Sequence, residues 1–158
     1  MSYSLQSKIL PAVIIDASLG AGAVLAIRGL ENAPALFERW NEEGRKVYVP
    51  EWWWAEVVSV IRQHVFRKVI SLERAHLAMN DIESLEVATF PMNFHLLHNA
   101  LDWSEKIGQS KAYDSLYLAL AEHLNAELWT ADKWLVNATR ALNINWVKWI
   151  EDSEQQNA

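Results

Sequence analysis

The chain has 158 residues, 51% of them apolar and 22% charged, with a net charge of −6, ordinary values for a globular protein long enough to bury one core. It has no cysteine, which excludes a disulfide framework and thiolate metal sites, and its longest apolar run, LGAGAVLAI, spans nine residues, far short of the roughly 20 that cross a bilayer. The acidic balance argues at face value against a nucleic-acid partner, and the polar opening MSYSLQSKIL lacks the apolar stretch of a signal peptide, so a cytoplasmic protein without a membrane segment is expected.

In chain order, AVIID (12–16) is a continuous apolar run ending in an acid, as a buried parallel strand would be. SLGAGAVLAIRGLE follows as a helix with Ser18 near its N-cap. Pro34 opens a second helix, PALFERWNEEG, which Gly44 ends. KVYVP is a short strand stopped by Pro50. From Glu51 to about Lys68 the spacing predicts a helix with Trp54, Val57, Val58, Ile61 and Val65 as its buried stripe. SLERAHLAMNDIESL is a helix capped by Ser71, EVATF a weaker strand, and NFHLLHNALDWSEKIG a helix ended by Gly108. SKAYDSLYLALAEHLN is the strongest helix, with Ser110 expected at its N-cap. AELWTAD is a strand, KWLVNATRAL a helix and NINWVKWI a last strand. The alternation implies an α/β fold, a parallel sheet wrapped by helices, forming one domain over residues 1–150. A polar tail, EDSEQQNA (151–158), is expected to be disordered.

In such a sheet, ligands bind beyond the carboxyl ends of the strands. Asp16 closes the first strand and Asp132 directly follows ELWT. Asp114 sits in the first turn of the helix leading into that strand, and Glu56 one and a half turns into the helix after the second. Taken singly, each acid reads as a helix cap or a surface charge. Their joint placement suggests a cluster, which is costly unless a cation compensates it. Oxygen donors without cysteine suit Mg²⁺ or Mn²⁺.

The segments VIIDAS, VPEWWWAEVVSVI and AYDSLYLALAEHLNAELWTADKWL closely resemble the PIN-domain family, in particular its VapC-type toxins, over residues 12 to about 150. The most specific part is YDSLYLALAE followed by LWTAD. The resemblance implies a three-layer α/β/α sandwich and Mg²⁺- or Mn²⁺-dependent cleavage of single-stranded RNA. It carries Asp16, Glu56, Asp114 and Asp132 over as catalytic acids and metal ligands, with Ser18 and Thr130 as supporting hydroxyls. It also implies a small antitoxin partner and a homodimer, for which a Trp-rich apolar surface would serve. Two departures stand out: Ser59 where the family usually carries Asn, and the glycines of LGAGAVLA. The alternative is a catalytically silent PIN domain acting as an RNA-binding or scaffold subunit.

If the four acids hold metal, the acidic total loses its force. Setting them aside with the tail acids Glu151, Asp152 and Glu154 leaves the remaining charge near neutral. Arg62, Arg67, Lys68, Lys111 and Lys133 flank the expected site as candidate phosphate contacts. Of the three consecutive tryptophans, Trp54 falls on the buried stripe, while Trp52 and Trp53 lie toward Glu56's side of the helix. Either ring of that pair would stack an unpaired base, though packing in a core or a partner interface is the commoner fate of tryptophan.

Other motifs carry less. GAG at 20–22 lacks the third small residue of a dinucleotide fingerprint, and a helix intervenes before the candidate ribose acid Glu51. DAS is not the DxD of haloacid-dehalogenase-type phosphatases. His95 and His98 have no third ligand nearby in the sequence, and Ser18 has no His and acid placed to make a triad.

Overall fold

A computed structural model describes residues 10–153; the polar N-terminus and the end of the tail, 154–158, lie outside them. Strand β1 (Val13–Ile15) is wholly buried and central. It pairs in parallel with β2 (Val47–Pro50) on one side and β4 (Glu127–Thr130) on the other, in the registers Val13↔Val47 and Val13↔Glu127. β3 (Val87–Phe90) and β5 (Val147–Trp149) form the edges, giving the all-parallel order β3-β2-β1-β4-β5. The weak EVATF pattern is explained by that edge position, where no residue of the strand is fully buried.

Helices α1 (Ala17–Val24) and α2 (Ala33–Glu42) link β1 to β2; α3 (Trp53–Phe66) and α4 (Leu72–Glu83) link β2 to β3. The chain then reverses direction across the sheet. α5 (Phe94–Ile107) and α6 (Tyr113–His123) carry it to β4, and α7 (Lys133–Ala141) to β5. Right-handed crossovers place α1–α4 on one face and α5–α7 on the other, a three-layer α/β/α sandwich. The reversal makes the carboxyl ends of β1 and β4 the topological switch point, where a crevice opens.

Local signals mostly act as read. Ser71 caps α4 by accepting from the Arg74 N–H; α5 has a cap that the sequence pattern had not singled out, Asn93, which accepts from the Leu96 N–H. Gly108 ends α5 at φ 71, a left-handed position that suits glycine. Three expectations change. The cap of α1 is Asp16, one residue before the helix, not Ser18; α6 begins after Ala112 without a side-chain cap, so Ser110 does not serve; and α3 starts at Trp53 and ends at Phe66.

The buried stripe of α3 is Trp53, Val57 and Ile61. Trp54 and Val65 are only partly covered, and Val58 is half exposed. The cause lies in α1. A Cβ on Gly20 would stand 2.2 Å from Trp53 Cζ2, and one on Gly22 would stand 2.7 Å from Leu30 Cβ. The GAG glycines therefore clear space for an indole and a leucine. Trp53 fills that space completely, with Trp54 packed edge-on against it at 4.9 Å between centroids.

The tryptophans do not form the apolar surface. Trp40, Trp53, Trp103 and Trp129 are buried, and Trp134 is the one classed as exposed. The most exposed large apolar side chains are instead Phe94 (80%) and Phe66 (76%), followed by Tyr113, Val69, Leu101 and Leu72. The expected tail begins as a 3₁₀ turn, Ile150–Ser153, in which Asp152 pairs with Arg140 at 2.6 Å. No helix among the described residues is long and apolar enough to cross a membrane.

Candidate active site

Each of the four acids stands at the start of a helix, where the dipole and free N–H groups favour negative charge. Asp16 is the N-cap of α1: Oδ1 accepts from the Leu19 N–H at 2.8 Å, and Oδ2 accepts from Thr130 Oγ1 at 2.5 Å. Asp132 is the N-cap of α7, with Oδ1 accepting from the Trp134 and Leu135 N–H groups at 2.9 and 3.2 Å. Glu56 and Asp114 lie in the first turns of α3 and α6. Tyr117 Oη donates to Glu56 Oε2, and Gln109 Nε2 donates to Asp114 Oδ2 at 2.8 Å.

The switch point brings these helix starts together. Asp16, Glu56, Asp114 and Asp132 line one cleft of about 340 Å³, with Ser18 and Tyr117 in its wall and no Lys or Arg among its lining residues. Thr130 ties two of the acids to β4: its hydroxyl donates to Asp16 and accepts from the Asp132 N–H at 2.9 Å.

The acids feel one another. Burial pushes the Asp16 carboxyl from 3.8 up to about 6; the Thr130 and Leu19 hydrogen bonds oppose the rise, and the charges of Asp114 and Asp132 add to it. Burial also raises Glu56, the Tyr117 hydrogen bond opposes this, and Asp114 adds to it. The Tyr117 hydroxyl is driven far up, first by burial and then by Glu56, so it acts as a neutral donor.

The outlying candidates fare differently. Trp53 has no exposed surface to offer a base. Trp52 is half-buried, edge-on to Tyr117 at 5.8 Å. Arg62, Lys111 and Lys133 are exposed but outside the cleft lining; Arg62 stacks over Phe66 and Lys133 over Trp149. Ser59 is exposed. Glu51, weighed as a ribose acid, accepts from the Met92 N–H. His95 faces Asn99 and His123, and among the described residues no group of three His, Asp or Glu side chains forms a ready-made ion cage.

Sequence reasoning missed Gln109 and Tyr117. Tyr117 lies three residues after Asp114, on the same helix face. That spacing was the available signal. Gln109 precedes the helix and gave none.

Four carboxylates converging at the switch point of a parallel α/β sheet define the class: an α/β/α protein with an acidic cleft. The PIN-domain family model matches residues 13–140, and the chain belongs to the PIN-domain family. The fold resembles PAE2754 from Pyrobaculum aerophilum, at TM-score 0.61 and 18% identity, covering 96% of this chain and 94% of that one. It also resembles VapC20 of Mycobacterium tuberculosis, a toxin that cleaves the sarcin-ricin loop, at TM-score 0.59 and 14% identity, covering 80% of this chain and 95% of VapC20. No curated protein matches the chain in sequence.

The donor set fits a divalent cation. It consists of hard carboxylate oxygens anchored by neutral donors, with no cation in the lining to neutralise them. Mg²⁺ keeps several waters and takes one or two carboxylates directly, so it does not need a ready-made cage of three protein ligands, and none forms among the described residues.

Proposed function

We propose that the protein is a divalent-metal-dependent endoribonuclease acting on single-stranded RNA, the toxin of a toxin–antitoxin pair. The observation that carries this reading is the convergence of Asp16, Glu56, Asp114 and Asp132 on one cleft without a compensating cation. PIN-family membership and the likeness to VapC20 support it.

On this reading Asp16, Asp114 and Asp132 hold Mg²⁺ or Mn²⁺, directly or through water, and Glu56 is a further ligand or orients the attacking water. The metal supplies a deprotonated water and charge relief at phosphorus. Thr130 fixes the Asp16 carboxylate, and Ser18 offers a hydroxyl in the cleft wall. Lys111 and Lys133, beside the helix starts that carry Asp114 and Asp132, are the phosphate contacts, with Arg62 farther along α3. The half-exposed Trp52 is the remaining base-stacking candidate. A small antitoxin and a second copy of the chain are the expected partners in the cytoplasm, with exposed Phe66, Phe94 and Leu101 supplying apolar surface.

The test is cleavage of single-stranded RNA with Mg²⁺ or Mn²⁺, stopped by EDTA. Asp16→Asn and Asp132→Asn keep an N-cap acceptor, since Asn caps as well as Asp, so both variants stay folded while losing most of the rate. Wild-type cleavage in either variant removes that residue from the mechanism. RNA binding without cleavage in the wild type would favour a silent RNA-binding subunit.

A further inference from the structure

The four acids are held by different means. Asp16 and Asp132 are anchored by backbone N–H groups at their own helix starts. Glu56 is anchored by a side chain 61 residues away, the hydroxyl of Tyr117 on α6. Tyr117 is 4% exposed, and Trp52 packs edge-on against its ring. A phenol in that setting has a fixed ring, so its hydroxyl is a rigid point from which to hold a carboxylate. The donor reaches only Oε2 of Glu56, which leaves Oε1 for the cleft. A lysine in the same place would hold Glu56 as well, but would cancel the charge that makes the carboxylate useful to a cation.

We propose that Tyr117 is a positioning residue: its hydroxyl fixes one oxygen of Glu56 so that the other is presented to a divalent cation or its water in the acidic cleft. This rests on the metal-dependent reading above. Ligand-orienting hydrogen bonds of this kind are commonly worth about 10–100-fold in metal affinity.

The experiment is calorimetric titration of the full chain with Mn²⁺, with melting in EDTA as the check on folding. Tyr117→Phe keeps the ring and its packing on Trp52 and removes only the hydroxyl. It should melt close to wild type and bind Mn²⁺ about tenfold or more weakly. In Glu56→Gln the Tyr117→Phe change should cost nothing further, because the hydroxyl acts through that carboxylate. If Tyr117→Phe does not fold, Tyr117→Met, which fills the slot with an adaptable apolar chain, is titrated instead with the same expectation. Wild-type Mn²⁺ affinity in a folded Tyr117 variant, while Glu56→Gln is weakened, overturns the positioning role and leaves the metal site standing. An equal loss in the Glu56→Gln background also overturns it, since Tyr117 would then act by another route. A wild type that gives no Mn²⁺ isotherm overturns both.

Discussion

Strand β4 has an acid at each end, Glu127 as its first residue and Asp132 just past its last, and the two ends are built on opposite principles. At its amino end Glu127 meets the guanidinium of Arg45 at 2.6 Å and the Trp129 indole N–H at 3.0 Å; the Arg45 side chain, 5% exposed, also donates to the Pro11 carbonyl. Charge is cancelled within the chain, and the acid serves to hold β1, β2 and β4 together. At the carboxyl end Asp132 and its neighbours Asp16, Glu56 and Asp114 receive only neutral donors: backbone N–H groups, a hydroxyl, a phenol and an amide. Their geometry is fixed but their charge is not spent. An acid paired inside the protein is structural; acids that are anchored but uncompensated are suited to an external cation.

The comparison can be broken most forcefully at the paired end. Arg45→Met leaves Glu127 partly buried without its cation and should cost about 3 kcal/mol, as removal of one partner from a buried pair does, with RNA cleavage per folded molecule unchanged. Urea denaturation and a cleavage assay read both. A silent substitution would mean that Glu127 is solvated well enough alone and that the two ends do not differ as argued.

At the open end, Mn²⁺ at a hundredfold over its dissociation constant should stabilise wild type by on the order of 2–3 kcal/mol, roughly 5–10 °C in melting temperature at this length. Asp114→Asn should gain much less. Melting curves in EDTA and in Mn²⁺ decide it, and a full Mn²⁺ gain in the variant makes Asp114 a structural residue.

The pH response sharpens the contrast further. The folded-state value of Asp16, about 6, lies above its ordinary 3.8, so protonation favours the folded state. Its contribution is complete below the ordinary value and is lost as pH rises through about 6. A shift of that size corresponds to about 3 kcal/mol, trimmed to on the order of 2 by partial exposure. Metal-free protein should therefore be less stable at neutral pH than near pH 4 by that order, and Asp16→Asn should flatten the difference. Chemical denaturation at the two pH values measures it; an unchanged slope in the variant would detach the effect from Asp16.

The smallest effect is in the metal-free state. Asp114→Asn removes one repelling charge from the cleft and should raise apo stability by about 1 kcal/mol, as active-site substitutions often do. A loss instead would show that the Gln109–Asp114 hydrogen bond outweighs repulsion.

Much of this was legible in the chain. The apolar run of AVIID, the cap Ser71 and the stop at Gly108 are local signals, set within a few residues by backbone N–H groups needing acceptors and by the conformational freedom of glycine. The order of strands and helices, and the placing of Asp16 and Asp132 at strand ends, followed from them. Ser110 failed as a cap because the chain enters α6 two residues later, a choice that capping preference alone does not fix.

What the sequence by itself determined, then, was the α/β alternation, the placing of Asp16 and Asp132 at strand ends and that of Asp114 in the first turn of a helix, because periodicity and capping act over one or two turns. Which tryptophan of WWW enters the core was decided by Gly20, more than thirty residues earlier, whose missing side chain makes room for Trp53 and for neither neighbour. The anchoring of Glu56 by Tyr117, and the contrast between the spent acid at one end of β4 and the unspent ones at the other, were likewise decided only by tertiary structure. A side chain's partner across 61 residues depends on how two helices are set against one sheet, and no local pattern encodes that distance.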